Sequence, residues 1–171
     1  MYRLYGSFVL LLLFISTTGC IYIESDSTLL KPPSPVLKFD ADRLLQDWTD
    51  MWNSYDLSQV DNLFLTNEHA TYFSSEKQGL IVGIEAVREH HVGFGFVPGG
   101  AEKDTKLWLD DVHIEIYSTT AVVTAVWYFE KGLPDNRQIQ KGPVTIIYTP
   151  TECGYRIAHM NFAEYQPNDS H

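Results

Sequence analysis

DADRLLQDWTDMWNSY, residues 40–55, carries Leu44, Leu45, Trp48, Met51, Trp52 and Tyr55 at helical spacing and leaves Asp42, Arg43, Gln46, Asp47 and Asp50 outside. That pattern predicts an amphipathic helix opening at Asp40 and facing a core. A second, shorter helix is expected from Ser58, where Ser58 to Asp61 has the look of a capping box and Val60, Leu63 and Phe64 face inward. Ala70 to Ser74 reads as a strand, and Gly79 to Gly83 brings the chain round to a third helix, Ile84 to about Val92. Ile84, Val87 and His91 share one stripe of it, with Glu85, Arg88 and Glu89 off that stripe. From Gly93 to Thr105 five glycines and prolines predict a mobile loop. Beyond it everything reads as sheet: Lys106–Tyr117 and Ala121–Lys131 as one pair, Lys141–Thr149 and Tyr155–Tyr165 as another. Helices first and long strands afterwards give an α+β domain of three helices and an antiparallel sheet, spanning residues 38–167 and without internal repeat.

Upstream, residues 1–19 hold Arg3, no acidic residue and an apolar run from Phe8 to Ile15, too short to cross a bilayer and built like an export signal. Thr17 to Cys20 resembles the bacterial lipobox, with Thr17 where an aliphatic residue is usual. The resemblance implies that Cys20 is lipidated and becomes the mature N-terminus, anchoring the protein in the membrane. Ile21 after it lacks the Asp of an inner-membrane retention signal, which in a Gram-negative cell favours an outer-membrane lipoprotein facing the periplasm. The other reading is a secreted protein whose Cys20 is free or bonded to Cys153; if Cys20 is lipidated, Cys153 has no partner. Residues 20–37, with Pro32, Pro33 and Pro35, form an extended tether, and 168–171 a short tail.

After Gly19 the chain has 22 acidic against 11 basic residues and no basic cluster, which argues against nucleic acid as a partner. At 44% hydrophobic and 13% aromatic it supports a real core.

The element order, with Trp52-Asn53 and Asp56 leaving the first helix, Gly83 to Ala86 opening the third and Tyr155 to His159 in the last strand, is similar to the nuclear transport factor 2-like superfamily. Within it the chain looks most like SnoaL-like domains. The resemblance implies a cystatin-like cone, a curved sheet closed at its mouth by the first helix, with a pocket in the concavity. Such pockets serve isomerisation, dehydration, cyclisation and plain binding, so the fold does not fix the function.

Aligned on Ala70-Thr71, Ser74 takes the place of the isomerase aspartate, and a serine cannot be that base. Strict alternation along the last strand puts Tyr155, Ile157, His159 and Asn161 on one face and Arg156, Ala158, Met160 and Phe162 on the other. His159 matches a cavity histidine of the SnoaL-like pattern; Asn161 and Ala163 replace its second histidine and its serine. His159 is thus the candidate base and Asn161 the candidate donor, against the plainer reading of His159 as a structural histidine. Trp52, Tyr72, Ser74, Trp127, His159 and Asn161 are the expected pocket residues. Glu89, His90 and His91 are adjacent and splay apart on a helix, so no metal site is expected. No nucleotide or serine-hydrolase motif is present, and no cofactor is implied.

The expected function is a lipid-anchored envelope protein whose pocket binds a small apolar molecule or a partner segment without turnover. The alternative is a SnoaL-like isomerase, dehydratase or cyclase using His159, with Asn161 or Tyr72 as donor. Homodimerisation through the open sheet face, where Val122, Val126 and Tyr128 stand, is a third expectation.

Overall fold

The computed structural model describes residues 38–165. The leader, Cys20, the tether before Lys38 and the tail at 168–171 lie outside the described residues.

Helix α1 spans Ala41–Ser54, and the Asp40 carboxylate accepts from the Arg43 N–H at 3.3 Å as its cap. Leu44, Trp48, Met51 and Trp52 are buried, as the spacing predicts. The helix stops at Tyr55, which is left-handed (φ 55°) and held there by the Phe96 ring at 4.9 Å and by Thr105 Oγ1, 3.1 Å from its hydroxyl. Asn53 joins α1 to the sheet: its amide donates to the Leu107 carbonyl (3.0 Å) and its oxygen accepts from the Leu107 N–H (2.7 Å).

The cap of the second helical segment is Asp56, one turn's edge earlier than the Ser58 expected from the sequence. Its Oδ1 accepts from the Ser58 N–H at 3.0 Å and the Ser58 hydroxyl at 2.7 Å, starting a 3-10 turn (Leu57–Gln59) that continues into α2 (Val60–Leu63). Strand β1 (Thr71–Ser74) then pairs with a strand the sequence did not announce, β2 (Lys77–Val82), and α3 spans Ile84–Gly93. The glycine- and proline-rich segment after α3 is tied down instead of loose. Phe96 is buried, Val97 exchanges backbone bonds with Tyr55 and Leu57, and the Ala101 N–H donates to the Ser54 carbonyl.

Four long strands complete the domain: β3 (Thr105–Tyr117), β4 (Thr120–Lys131), β5 (Gln138–Thr151) and β6 (Gly154–Phe162). The six strands form one curved, open sheet in the order β2-β1-β6-β5-β4-β3. Every pairing is antiparallel except β1 with β6, which is parallel, so the expectation of a wholly antiparallel sheet is corrected at one seam. The edges are β2 and β3, and β3 is broken by a bulge between Asp110 and His113, with Asp111 at φ 50°.

The registers sort the sheet into two faces. Ala121, Val123, Ala125 and Trp127 of β4 align with Tyr148, Ile146, Val144 and Gly142 of β5 and are buried against the helices. Val122, Thr124, Val126 and Tyr128 take the outer face. Gly142 is required by closeness: a Cβ there would sit against the Ala163 carbonyl oxygen and 2.7 Å from Glu164 Cα, where the chain leaving β6 crosses β5.

Candidate functional site

Strand β6 does not alternate strictly. Ile147 of β5 lies opposite His159 and Tyr148 opposite Ile157, so Ala158 is an extra residue with no partner on β5. The bulge turns the strand over. Tyr155 and Ile157 face inward before it, and Met160 and Phe162 face inward after it. His159 and Asn161 therefore stand on the outer face, opposite to where unbroken alternation placed them, and their assignment to an inner pocket is corrected.

On that face His159 is half-buried. The Thr71 hydroxyl lies 2.9 Å from its Nδ1 and donates to the Ala158 carbonyl at 3.2 Å. A hydroxyl has one proton to give, so it accepts from Nδ1–H and leaves Nε2 as the basic nitrogen. Partial burial holds the imidazole below its usual pKa. Asn161 is exposed, opposite Thr145 and Phe73, and the Phe73 ring packs edge-on to the imidazole at 6.0 Å. Among the described residues no acid side chain bonds its imidazole.

Trp52, Tyr72 and Trp127 do share the inner face, as core and not as the wall of an open pocket. Phe162 stacks between the two indoles, 5.8 Å from Trp52 and 4.3 Å from Trp127. The Trp127 Nε1–H donates to the Ala163 carbonyl at 2.7 Å. Tyr72 is 1% exposed, and burial pushes its phenol well above the usual range. Ser74 ends β1, and its hydroxyl accepts from the Glu76 N–H at 3.1 Å in the turn to β2. A surface depression of about 340 Å³ lies at the β4–β5 connection, lined by Lys131, Gly132, Leu133, Asn136 and Gln138.

His91 is the feature that sequence reasoning passed over. It is the one fully buried polar or charged residue among those described, and sits between Trp52 (5.5 Å between ring centres), Phe96 (5.1 Å), Phe64 and Tyr72 (5.9 Å each). Its Nδ1 lies 2.8 Å from the Val87 carbonyl, which can only accept, so Nδ1 carries the proton. Burial pushes its pKa down to about 4, so the ring is neutral near pH 7. The signal was available: His91 is the one polar member of the Ile84–Val87–His91 stripe. Among the described residues no carboxylate is buried beside it. Among the described residues no three His, Cys, Asp or Glu side chains converge as a metal site would need. Cys153 lies in the β5–β6 turn, where its N–H donates to the Thr151 hydroxyl at 3.2 Å; Cys20, with which it would pair or not, lies outside the described residues.

Helices over one face of a curved, open sheet match solved structures of a known kind. A nuclear transport factor 2-like superfamily protein from Salmonella enterica superposes with a TM-score of 0.55 at 20% identity, over 77% of this chain and 96% of that one. The fold is nuclear transport factor 2-like. A protein of that fold and unknown function from Pseudomonas putida matches with a TM-score of 0.61 at 11% identity, over 75% of this chain and 86% of that one. The association domain of CaMKII from C. elegans matches with a TM-score of 0.58 at 17% identity, over 70% and 89%. Identities this low carry the fold and nothing more. No family profile and no curated protein matches the sequence.

Proposed function

We propose that this nuclear transport factor 2-like domain is a non-catalytic association module of the cell envelope, which pairs with a second copy through the outer face of its sheet. The observation that carries the reading is the composition of that face, beside an inner face whose aromatic residues are buried as core. Phe73 of β1, Ile147 of β5, Val122, Val126 and Tyr128 of β4 and Trp108 of β3 share it with Thr71, Thr124, Thr145 and Asn161, and with Asp110, His113 and Glu115 of β3 and Lys141 of β5. Its inner counterpart is covered by helices; this face is covered by nothing among the described residues. Strands β3 to β6 at roughly 4.8 Å spacing and about nine residues at roughly 3.3 Å, with the four residues of β1 beside them, make a patch of roughly 600 Å². A specific interface takes roughly 800 Å² from each partner. The C. elegans neighbour, named as an association domain, supports the reading by analogy of fold alone.

Sedimentation of the Cys20→Ala protein tests it. The expected species is a dimer at roughly 10 µM, and Val126→Lys, which sets a charge in the middle of the patch, should yield a folded monomer. A wild-type chain that stays monomeric at roughly 100 µM overturns the proposal.

We also propose that Cys20 carries the lipid anchor, on the strength of the Thr17–Cys20 string behind an apolar run. A thiol that is acylated is not available for oxidation, so the two fates are alternatives for one cysteine. Labelling with radioactive palmitate should be lost in Cys20→Ala; absence of label in the parent chain ends the claim.

A further inference from the structure

Two ring nitrogens deep in the core between α1 and α3 have no hydrogen-bond partner, and they are of opposite kind. Trp52 Nε1 can only donate. His91 Nε2 can only accept, because Nδ1 holds the ring proton against the Val87 carbonyl and the ring is neutral. The two rings are neighbours, with centres 5.5 Å apart at 50°. Trp48, one turn back on the same face of α1 and 6.4 Å from Trp52, brings a third unpartnered nitrogen, again a donor. Trp48 and His91 are 0% exposed and Trp52 is 5% exposed, so bulk water does not serve these atoms. Cores seldom leave such groups unserved.

The rest of the surroundings narrows what fits. Phe64, Phe94, Phe96 and Phe162 close round the pair and offer neither donor nor acceptor; the polar rings nearest His91 are Tyr72 and His90, each 5.9 Å away between centres, and His90 Nε2 is likewise without a partner. A carboxylate would accept from Trp52 but give nothing to His91 and would be buried without a countercharge; an ammonium would give to His91 but take nothing from Trp52. One hydroxyl group does both, accepting from the indole N–H and donating to the imidazole nitrogen.

We infer that the core holds a binding site for a single hydroxyl group, bridging Trp52 Nε1–H and His91 Nε2. The hydroxyl belongs either to an ordered water or to a small alcohol buried with the fold, and the chemistry that recognises it is the same. This site is separate from the outer face and stands or falls independently of dimerisation.

A crystal structure of the purified protein at a resolution that shows ordered water tests it, with native mass spectrometry of the same preparation. The expected result is density within hydrogen-bond distance of both nitrogens. An isolated peak with no added mass identifies water, and extended density with added mass identifies an alcohol. A direct Trp52–His91 hydrogen bond, or two nitrogens with nothing between them, overturns the inference. In solution, the indole N–H resonance of Trp52 should shift in His91→Phe, which removes the acceptor and keeps a ring. If that variant fails to fold, the nitrogen shift of His91 Nε2 in the unaltered protein serves instead: a value for a nitrogen accepting no hydrogen bond refutes the site.

Discussion

The bulge at Ala158 makes neighbouring residues on β6 unequal in a way that unbroken alternation reverses. Met160 is 0% exposed and lies opposite Ile146 and Tyr72 on the inner face. Met160→Ala removes a fully buried side chain from a packed core and should cost about 2–5 kcal/mol. His159 is half-buried on the other face and offers one side-chain hydrogen bond, to Thr71. His159→Ala should cost about 1 kcal/mol. Urea unfolding of the purified protein and both variants, read as midpoints at constant slope, gives the comparison directly. Each kcal/mol should also lower the melting temperature by roughly 3 °C, so Met160→Ala separates clearly from His159→Ala in a thermal scan. A His159→Ala penalty above about 3 kcal/mol with Met160→Ala below about 1 kcal/mol would refute the bulge and return His159 to the interior.

The same geometry sets three further outcomes. His91 is depressed to about 4 from an ordinary 6.5; between those values the unfolded chain takes up a proton that the folded chain refuses. Stability should therefore be full above pH 6.5 and fall by about 3 kcal/mol as the pH drops to 4, with His90 and His159, also depressed by burial, adding to the same slope. Urea midpoints at pH 7.5 and 5 measure it, and His91→Phe should flatten the difference; an unchanged slope removes His91 as its cause. Gly142→Ala forces a methyl against the backbone of Ala163 and Glu164 and should cost about 3 kcal/mol or more, whereas alanine in place of Gly79, where a Cβ meets nothing within 4 Å, should cost less. Asn53→Ala leaves the Leu107 N–H and carbonyl without their side-chain partners and should cost about 2 kcal/mol in the same assay; a loss under about 0.5 kcal/mol would mean that water replaces both.

Much of the architecture was legible because hydrophobic period carries it. The α1 stripe, from Leu44 to Tyr55, turned out buried nearly residue for residue, and the four long strands fell where Val-, Ile- and Tyr-rich runs put them. Strand β2 was not legible: its burial pattern is exposed at five of six positions, so nothing in Lys77 to Val82 alternates strongly enough to announce it. The Gly93–Thr105 segment misled for the opposite reason. Its glycines signal backbone freedom, yet Phe94 and Phe96 fasten it beneath Trp52, a long-range fact that local composition does not encode. The candidate site failed at a single residue. Ala158 is small and apolar, compatible with either face, and only the register against β5 reveals that it is unmatched. His91, by contrast, stands on a stripe that the helical period reads correctly, and its burial follows from that stripe.

An open sheet has two unsatisfied borders, and each invites strand-by-strand growth into a filament. Here both are poor templates. On β2 the strand is short and carries Lys77 and a left-handed Gly79 (φ 91°), which interrupts the row of amides an incoming strand would have to meet. On β3 the Asp110–His113 bulge breaks a 13-residue border into two shorter runs, and Asp110 and Asp111 set two negative charges at the break. If two copies meet as proposed, they meet through the broad face and not the rim, and such a pair closes on itself instead of running on into a fibre.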